Sequence, residues 1–117
     1  MRATVAALEA ELACPAGSLT RYAGDTYAGG HKWVLAALWL GLWHRQVGDD
    51  AGLARALTYA RGAQTDLGLL PEQVTDDGEP AWVVPLAWSH AMLLLAARPE
   101  FAAANGGDAS LASAAWR

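Results

Sequence analysis

The sequence predicts an all-α chain built of antiparallel helical hairpins. Ala and Leu dominate its periodic stretches, which favours helix over strand. Alternation of apolar and polar residues with period two is nearly absent, so no sheet is expected. Stretches rich in Gly or containing Pro separate the periodic segments and mark where the chain turns.

The first helix is expected over residues 4–13, ending before Pro15 and Gly17. Residues 16–30 hold four Gly among Arg, Tyr and Asp, and read as a long loop. The second helix is expected over 31–47. Gly48-Asp49-Asp50 then forms a tight turn, with an Asp placed to cap the third helix over 51–65. A second loop covers 69–80. The fourth helix is expected from Ala81, with Pro85 in its first turns, and stops before Pro99. Beyond Phe101 the chain turns to Ala, Asn, Gly and Ser. The domain is therefore drawn as 1–104, with 105–117 a flexible tail. If the helices pack antiparallel, both long loops share one end and the Gly48 turn lies at the other. Loops gathered on one end of a helical scaffold are a common place for function.

The second and fourth helices pose a packing problem. Trp33, Val34, Leu35, Leu38, Trp39 and Trp43 cover more than one face of the second. Trp82, Val84, Leu86, Trp88, Met92 and Leu94 do the same for the fourth. A helix apolar on all sides is normally buried on all sides. One amphipathic helix and one short helix do not suffice to wrap both. Something outside these helices is expected to cover them, either a missing N-terminal portion or another copy of the chain.

Composition narrows the function classes. At 117 residues the chain is one small domain at most. Its net charge of −4 argues against sequence-independent nucleic-acid binding, which needs a basic stripe. Apolar residues make up 54% and charged residues 17%, which argues against disorder. Six Trp point to a large core or to aromatic walls around a ligand. Cys14 alone cannot form an internal disulfide, which fits a reducing compartment such as the cytoplasm. Glu9 and Glu11 interrupt what would be the apolar part of a signal peptide. The apolar run 33–43 falls short of the roughly 20 residues a membrane span needs. Pro85, Ser89 and His90 break the other candidate, 81–97, so no membrane partner is expected.

Several residues could carry chemistry. Arg21 and Asp25 can make charge-assisted hydrogen bonds to hydroxyls, and Tyr22, Tyr27 and Trp33 supply flat apolar walls. The structural alternative is an ion pair between Arg21 and Asp25 themselves, four residues apart. Glu72 stands between Pro71 and Gln73 with apolar residues on both flanks. Such a setting can hold a carboxylate at a pocket rim as a base; the alternative is an ordinary surface glutamate. His31, His44 and His90 show no metal-ligand spacing with each other or with Cys14, so neither metal nor cofactor is expected. His90 reads as a satisfied core or rim histidine. No Gly-x-Ser-x-Gly turn and no phosphate loop is present.

Three motifs carry a family resemblance. The segment Arg21-Tyr-Ala-Gly-Asp-Thr-Tyr-Ala-Gly-Gly-His-Lys-Trp33 resembles one motif of the glucoamylase-type enzymes, glycoside hydrolase family 15. Leu70-Pro-Glu-Gln-Val74 resembles that family's general-base loop, and Pro85-Leu-Ala-Trp-Ser-His-Ala91 its last inner-helix motif. They occur in the family's order and span most of the chain. The resemblance implies that the chain is the last third of an (α/α)6 barrel, acting on α-glucosides or oligosaccharides from the non-reducing end with inversion. It places Glu72 on the general base, Arg21 and Asp25 on sugar-orienting positions, and Tyr27, Trp33 and Trp88 on the pocket's aromatic positions. His31-Lys32 departs from the Asn-Pro that the family commonly has there. The family's general acid lies on an earlier segment, and none of Asp25, Asp76, Asp77 and Glu79 matches it. The isolated chain is therefore expected to be inactive or nearly so, since loss of general-acid catalysis alone costs ~10²–10⁴-fold. The competing expectation is a non-catalytic helical module that binds a partner through its apolar helices.

Overall fold

The computed structural model describes residues 1–98. The boundary at 104 and the tail at 105–117 lie outside the described residues. Four helices form: α1 (Arg2–Leu12), α2 (Val34–Gln46), α3 (Asp50–Gly62) and α4 (Ala87–Ala97). The chain is not purely helical. Three two-residue strands, β1 (Lys32–Trp33), β2 (Gln73–Val74) and β3 (Pro80–Ala81), make a small antiparallel sheet in the order β1-β2-β3. This corrects the expectation of no sheet. Strands of two residues are too short to leave a period in the sequence.

The sheet also moves two helix starts. α2 begins at Val34 rather than at residue 31, because Lys32 and Trp33 pair with Val74 and Gln73. α4 begins at Ala87 rather than at Ala81. Ala81 is in β3, Trp82 has a left-handed φ of 66°, and Leu86 is extended. Proline also disfavours helix for the residue before it, here Val84. Helical periodicity in 81–86 was composition without conformation.

α3 is amphipathic as a helix on a core should be, burying Leu53, Ala56, Leu57 and Ala60. It packs antiparallel to α2, and Val34, Leu35 and Leu38 share one cluster with Leu53, Leu57, Ala60 and Ala63. Gly41 permits the closest approach, since a Cβ there would lie 2.7 Å from the Ala56 Cβ. Met92 and Ala96 of α4 and Leu70 complete the same cluster. Leu12, Leu19 and Ala37 form a smaller one beneath α1. Trp39 on α2 and Trp88, Leu94 and Leu95 on α4 remain exposed. No helix among the described residues is long and apolar enough to cross a membrane. Both long loops meet at one end, where the sheet sews them together, and the Gly48 turn lies at the other.

Candidate active site

The segment Leu70-Pro71-Glu72 has every backbone polar group paired. The Leu70 N–H donates to His90 Nε2 at 3.1 Å, and the Leu70 carbonyl accepts from the Leu86 N–H at 2.9 Å. Ser89 Oγ donates to the Pro71 carbonyl at 2.9 Å. The Glu72 N–H donates to Val83 O at 2.9 Å, and Glu72 O accepts from the Val34 N–H at 3.2 Å. His90 therefore carries its proton on Nδ1, which donates to Leu86 O at 2.9 Å. This histidine is a satisfied positioning group.

The backbone is thus fixed while the side chain is left free. Glu72 is only 9% exposed. Its carboxylate makes no hydrogen bond or ion pair to any described residue. An unpaired, nearly buried carboxylate is an acceptor waiting for a donor, and water or a ligand hydroxyl can supply it. Gln73 beside it is fully buried, and its Oε1 accepts from the His31 N–H at 3.2 Å.

Arg21, Asp25, Tyr27 and Trp33 come together. Arg21 forks onto Asp25, with Nε 3.0 Å from Oδ2 and Nη2 2.8 Å from Oδ1. The Tyr27 N–H adds a third bond to Oδ1 at 2.9 Å. The ion pair weighed from the sequence therefore forms. The Arg21 guanidinium, foremost, holds the Asp25 carboxyl below its ordinary value, and Asp25 in turn raises Arg21. The Asp25 side chain is 1% exposed and that of Arg21 is 32% exposed, so Arg21 is the member of the pair a ligand reaches. Its guanidinium carbon lies 4.6 Å from the Tyr27 ring centre, 4.9 Å from Trp33 and 5.0 Å from Tyr22.

Trp88 stands apart from this cage. Its ring meets Trp39 edge-to-face at 5.5 Å. Even so, Arg21, Trp33, Trp39 and Trp88 line one apolar cavity of about 400 Å³. The buried Trp33 indole N–H has no partner among the described residues. Glu72 is not in that cavity's wall, but its carbonyl bonds Val34, the residue after Trp33. A larger hollow of about 520 Å³ is lined by Lys32, Tyr59 and Asp76 and holds none of the predicted site residues. Size is the weaker guide here, because the smaller cavity is the one beside the arginine cage. Lys32 and Asp76 pair with each other. No group of three or more His, Cys, Asp or Glu among the described residues could hold a metal ion.

The sequence did not single out Ser89 as a positioning group or Trp82 as a site residue. A Ser-His pair 18 to 20 residues from the loop it holds leaves no local signal. Trp82 reads as helix core, yet it is exposed and touches Tyr27 edge-to-face at 5.9 Å.

No family model matches the sequence. Two curated relatives do. An uncharacterized glycosyl hydrolase of Methanocaldococcus jannaschii is 32% identical over 106 aligned positions, covering 79% of this chain and 17% of the relative. The isomaltose glucohydrolase of Kribbella flavida is 34% identical over 93, covering 69% of this chain and 24% of the relative. The chain is similar to one segment of glycosidases. Two solved glycosidase structures agree. One is 33% identical with a TM-score of 0.69, covering 79% of this chain and 28% of its own. The other, a variant glycosidase, is 30% identical with a TM-score of 0.72, covering 84% and 29%. The chain thus spans about a quarter or less of the curated relatives it matches, and shares the fold of the matching part of the solved glycosidases.

Proposed function

We propose that this chain is the general-base-bearing segment of a glucoamylase-type, family 15 hydrolase that cleaves α-glucosides with inversion. The observation that carries the reading is Glu72, a nearly buried carboxylate with a fully bonded backbone and an unpaired side chain. In this role it takes a proton from water as the water oxygen bonds to the anomeric carbon. The bond from that carbon to the leaving oxygen breaks, and the leaving oxygen takes a proton from a separate acid. Arg21, held by Asp25, donates to sugar hydroxyls, and Tyr27, Trp33 and Trp88 wall the apolar ring faces. The name of the Kribbella relative makes isomaltose the first disaccharide to try.

Inversion needs a second carboxyl group about 6.5–9.5 Å from the first. Asp25 is taken by Arg21 and Asp76 by Lys32. In this reading the acid comes from a complementary polypeptide, equivalent to the part of the relatives beyond the matched segment. That polypeptide completes an (α/α)6 barrel over the exposed faces of α2 and α4. The single Cys14 fits a cytoplasmic setting.

α-Glucosyl fluoride tests the base without the acid, because fluoride leaves unprotonated. The full chain, alone or with the complementary part of the Kribbella relative, is expected to release fluoride and β-glucose. Glu72→Gln lowers that rate by about 10²–10⁴-fold with Tm unchanged. A rate that survives the substitution sinks the assignment.

The exposed, edge-to-face Trp39–Trp88 pair favours a second reading, a non-catalytic module binding a partner by this face. It is recognised by loss of assembly in Trp39→Gln while Glu72→Gln has no effect on any activity of the assembly.

A further inference from the structure

The β2–β3 ladder pairs Gln73 with Ala81 and Val74 with Pro80. The next hydrogen bond runs from the Glu72 N–H to Val83 O, one residue out of step. Trp82 is the extra residue, and the strand bulges there. Its φ of 66° lies in the left-handed region, where bulges usually place glycine and a bulky side chain is an outlier. Burial does not offset this strain, because Trp82 is 62% exposed. Strain held at an exposed aromatic, at the bulge opposite Glu72 in the ladder, motivates a role in binding.

We propose that Trp82 is the platform on which the leaving sugar ring stacks while its bond is cut beside Glu72. The proposal rests on the reading of Glu72 as the base. Tyr27 meets Trp82 edge-to-face at 5.9 Å and 72°, which leaves at least one indole face open. Half-buried Trp33 and Tyr27, 46% exposed, both face the Arg21 guanidinium, and Tyr27 in turn meets Trp82. The sugar that is attacked sits deepest, where water is excluded and Arg21 can reach it. The leaving ring lies outside it, at the level of Trp82. A pyranose presents an apolar face of C–H groups to an indole, and the contact tolerates different linkages because it reads the ring and not the bond.

The full chain labelled with 5-fluorotryptophan gives a fluorine signal for each of its six Trp. Trp82→Phe identifies the signal of Trp82 by its disappearance. Isomaltose and maltose at millimolar concentration are expected to move that signal, and glucose to move it much less. Trp82→Ala weakens disaccharide binding by about tenfold, and Trp82→Phe by about threefold or less. Trp82→Gly removes the ring and the strain together. It is expected to lose the same affinity while keeping a Tm at least as high as that of the unsubstituted chain. A lower Tm with unchanged affinity marks a structural tryptophan and overturns the proposal. So does a disaccharide that shifts other indole signals but not that of Trp82; this outcome leaves the reading of Glu72 standing. No response of any indole to any sugar also overturns the proposal. Hydrolysis of α-glucosyl fluoride by Glu72→Gln at an undiminished rate overturns the reading of Glu72 by a different readout.

Discussion

The two ends of the helical stack both pin the backbone with side chains, but they differ in what they leave exposed to a ligand. At the turn end, side chains answer the backbone. Asp49 caps α3, its Oδ1 accepting from the Gly52 N–H at 2.9 Å. Nearly buried His44 lies between Asp49 Oδ2 at 2.8 Å and Glu9 Oε1 at 3.4 Å, and its Nδ1 makes no aligned hydrogen bond. Arg45, 4% exposed, donates to the carbonyls of Leu95 and Arg98 at the end of α4. Burial depresses its pKa, and its Nε and Nη2 find no partner among the described residues. At the loop end, side chains again answer the backbone, Ser89 and His90 holding Pro71 and Leu70, and backbone pairs such as Glu72 N–H to Val83 O and Val34 N–H to Glu72 O join segments of the two long loops. Side chains there are left over: the Glu72 carboxylate, the Trp33 N–H and the Trp82 ring. Both ends keep polar atoms without a partner among the described residues, but only at the loop end do they lie beside an open apolar cavity and an unpaired carboxylate.

Four substitutions and one pH profile test that contrast. Glu72→Gln has the largest effect, the loss of activity given above, with thermal unfolding unchanged. Gly52→Ala is its mirror image at the turn end. A Cβ there would sit 2.3 Å from the His44 ring, which Glu9 and Asp49 hold in place. Urea unfolding is expected to show a loss of roughly 1–3 kcal/mol. A neutral result breaks the picture of a rigid turn end. The Trp82→Gly pattern, affinity lost without stability, is the sharpest form of the contrast. Asp49→Ala removes the cap and is expected to cost about 1 kcal/mol in the same titration.

The pH dependence is the smallest effect. The Gly52 N–H, foremost, lowers the Asp49 pKa below its unfolded value of about 4. A depressed carboxylate contributes stability above that value and loses it as pH falls through its folded pKa. Thermal melts below pH ~4 should therefore fall less steeply for Asp49→Ala than for the unsubstituted chain.

Much of the turn end was legible in the sequence. Gly48-Asp49 announces a stop and a cap, and the apolar spacing of Leu53, Ala56, Leu57 and Ala60 announces a buried face. These signals act over three or four residues, the range that periodicity and capping rules cover. Glu72 stood out by its flanks and its motif, but its fixation by Leu86, Ser89, Val83 and Val34 did not. The start of α4 is not legible for the same reason, because pairing with β2 overrides the helical pattern of 81–86.

The sequence by itself determined four helices, one capped turn, two long loops at a common end and an excess of apolar helix surface. Each of these follows from side-chain chemistry repeated within a few residues. Only the tertiary structure decided that the loops are sewn by a small sheet and that Trp82 is turned outward at a bulge opposite Glu72. The first depends on register between segments some 40 residues apart along the chain, as between Lys32 and Val74, and the second on a bulge within the β2–β3 pairing. A shift of one residue in that register redirects every side chain, and no local pattern records it.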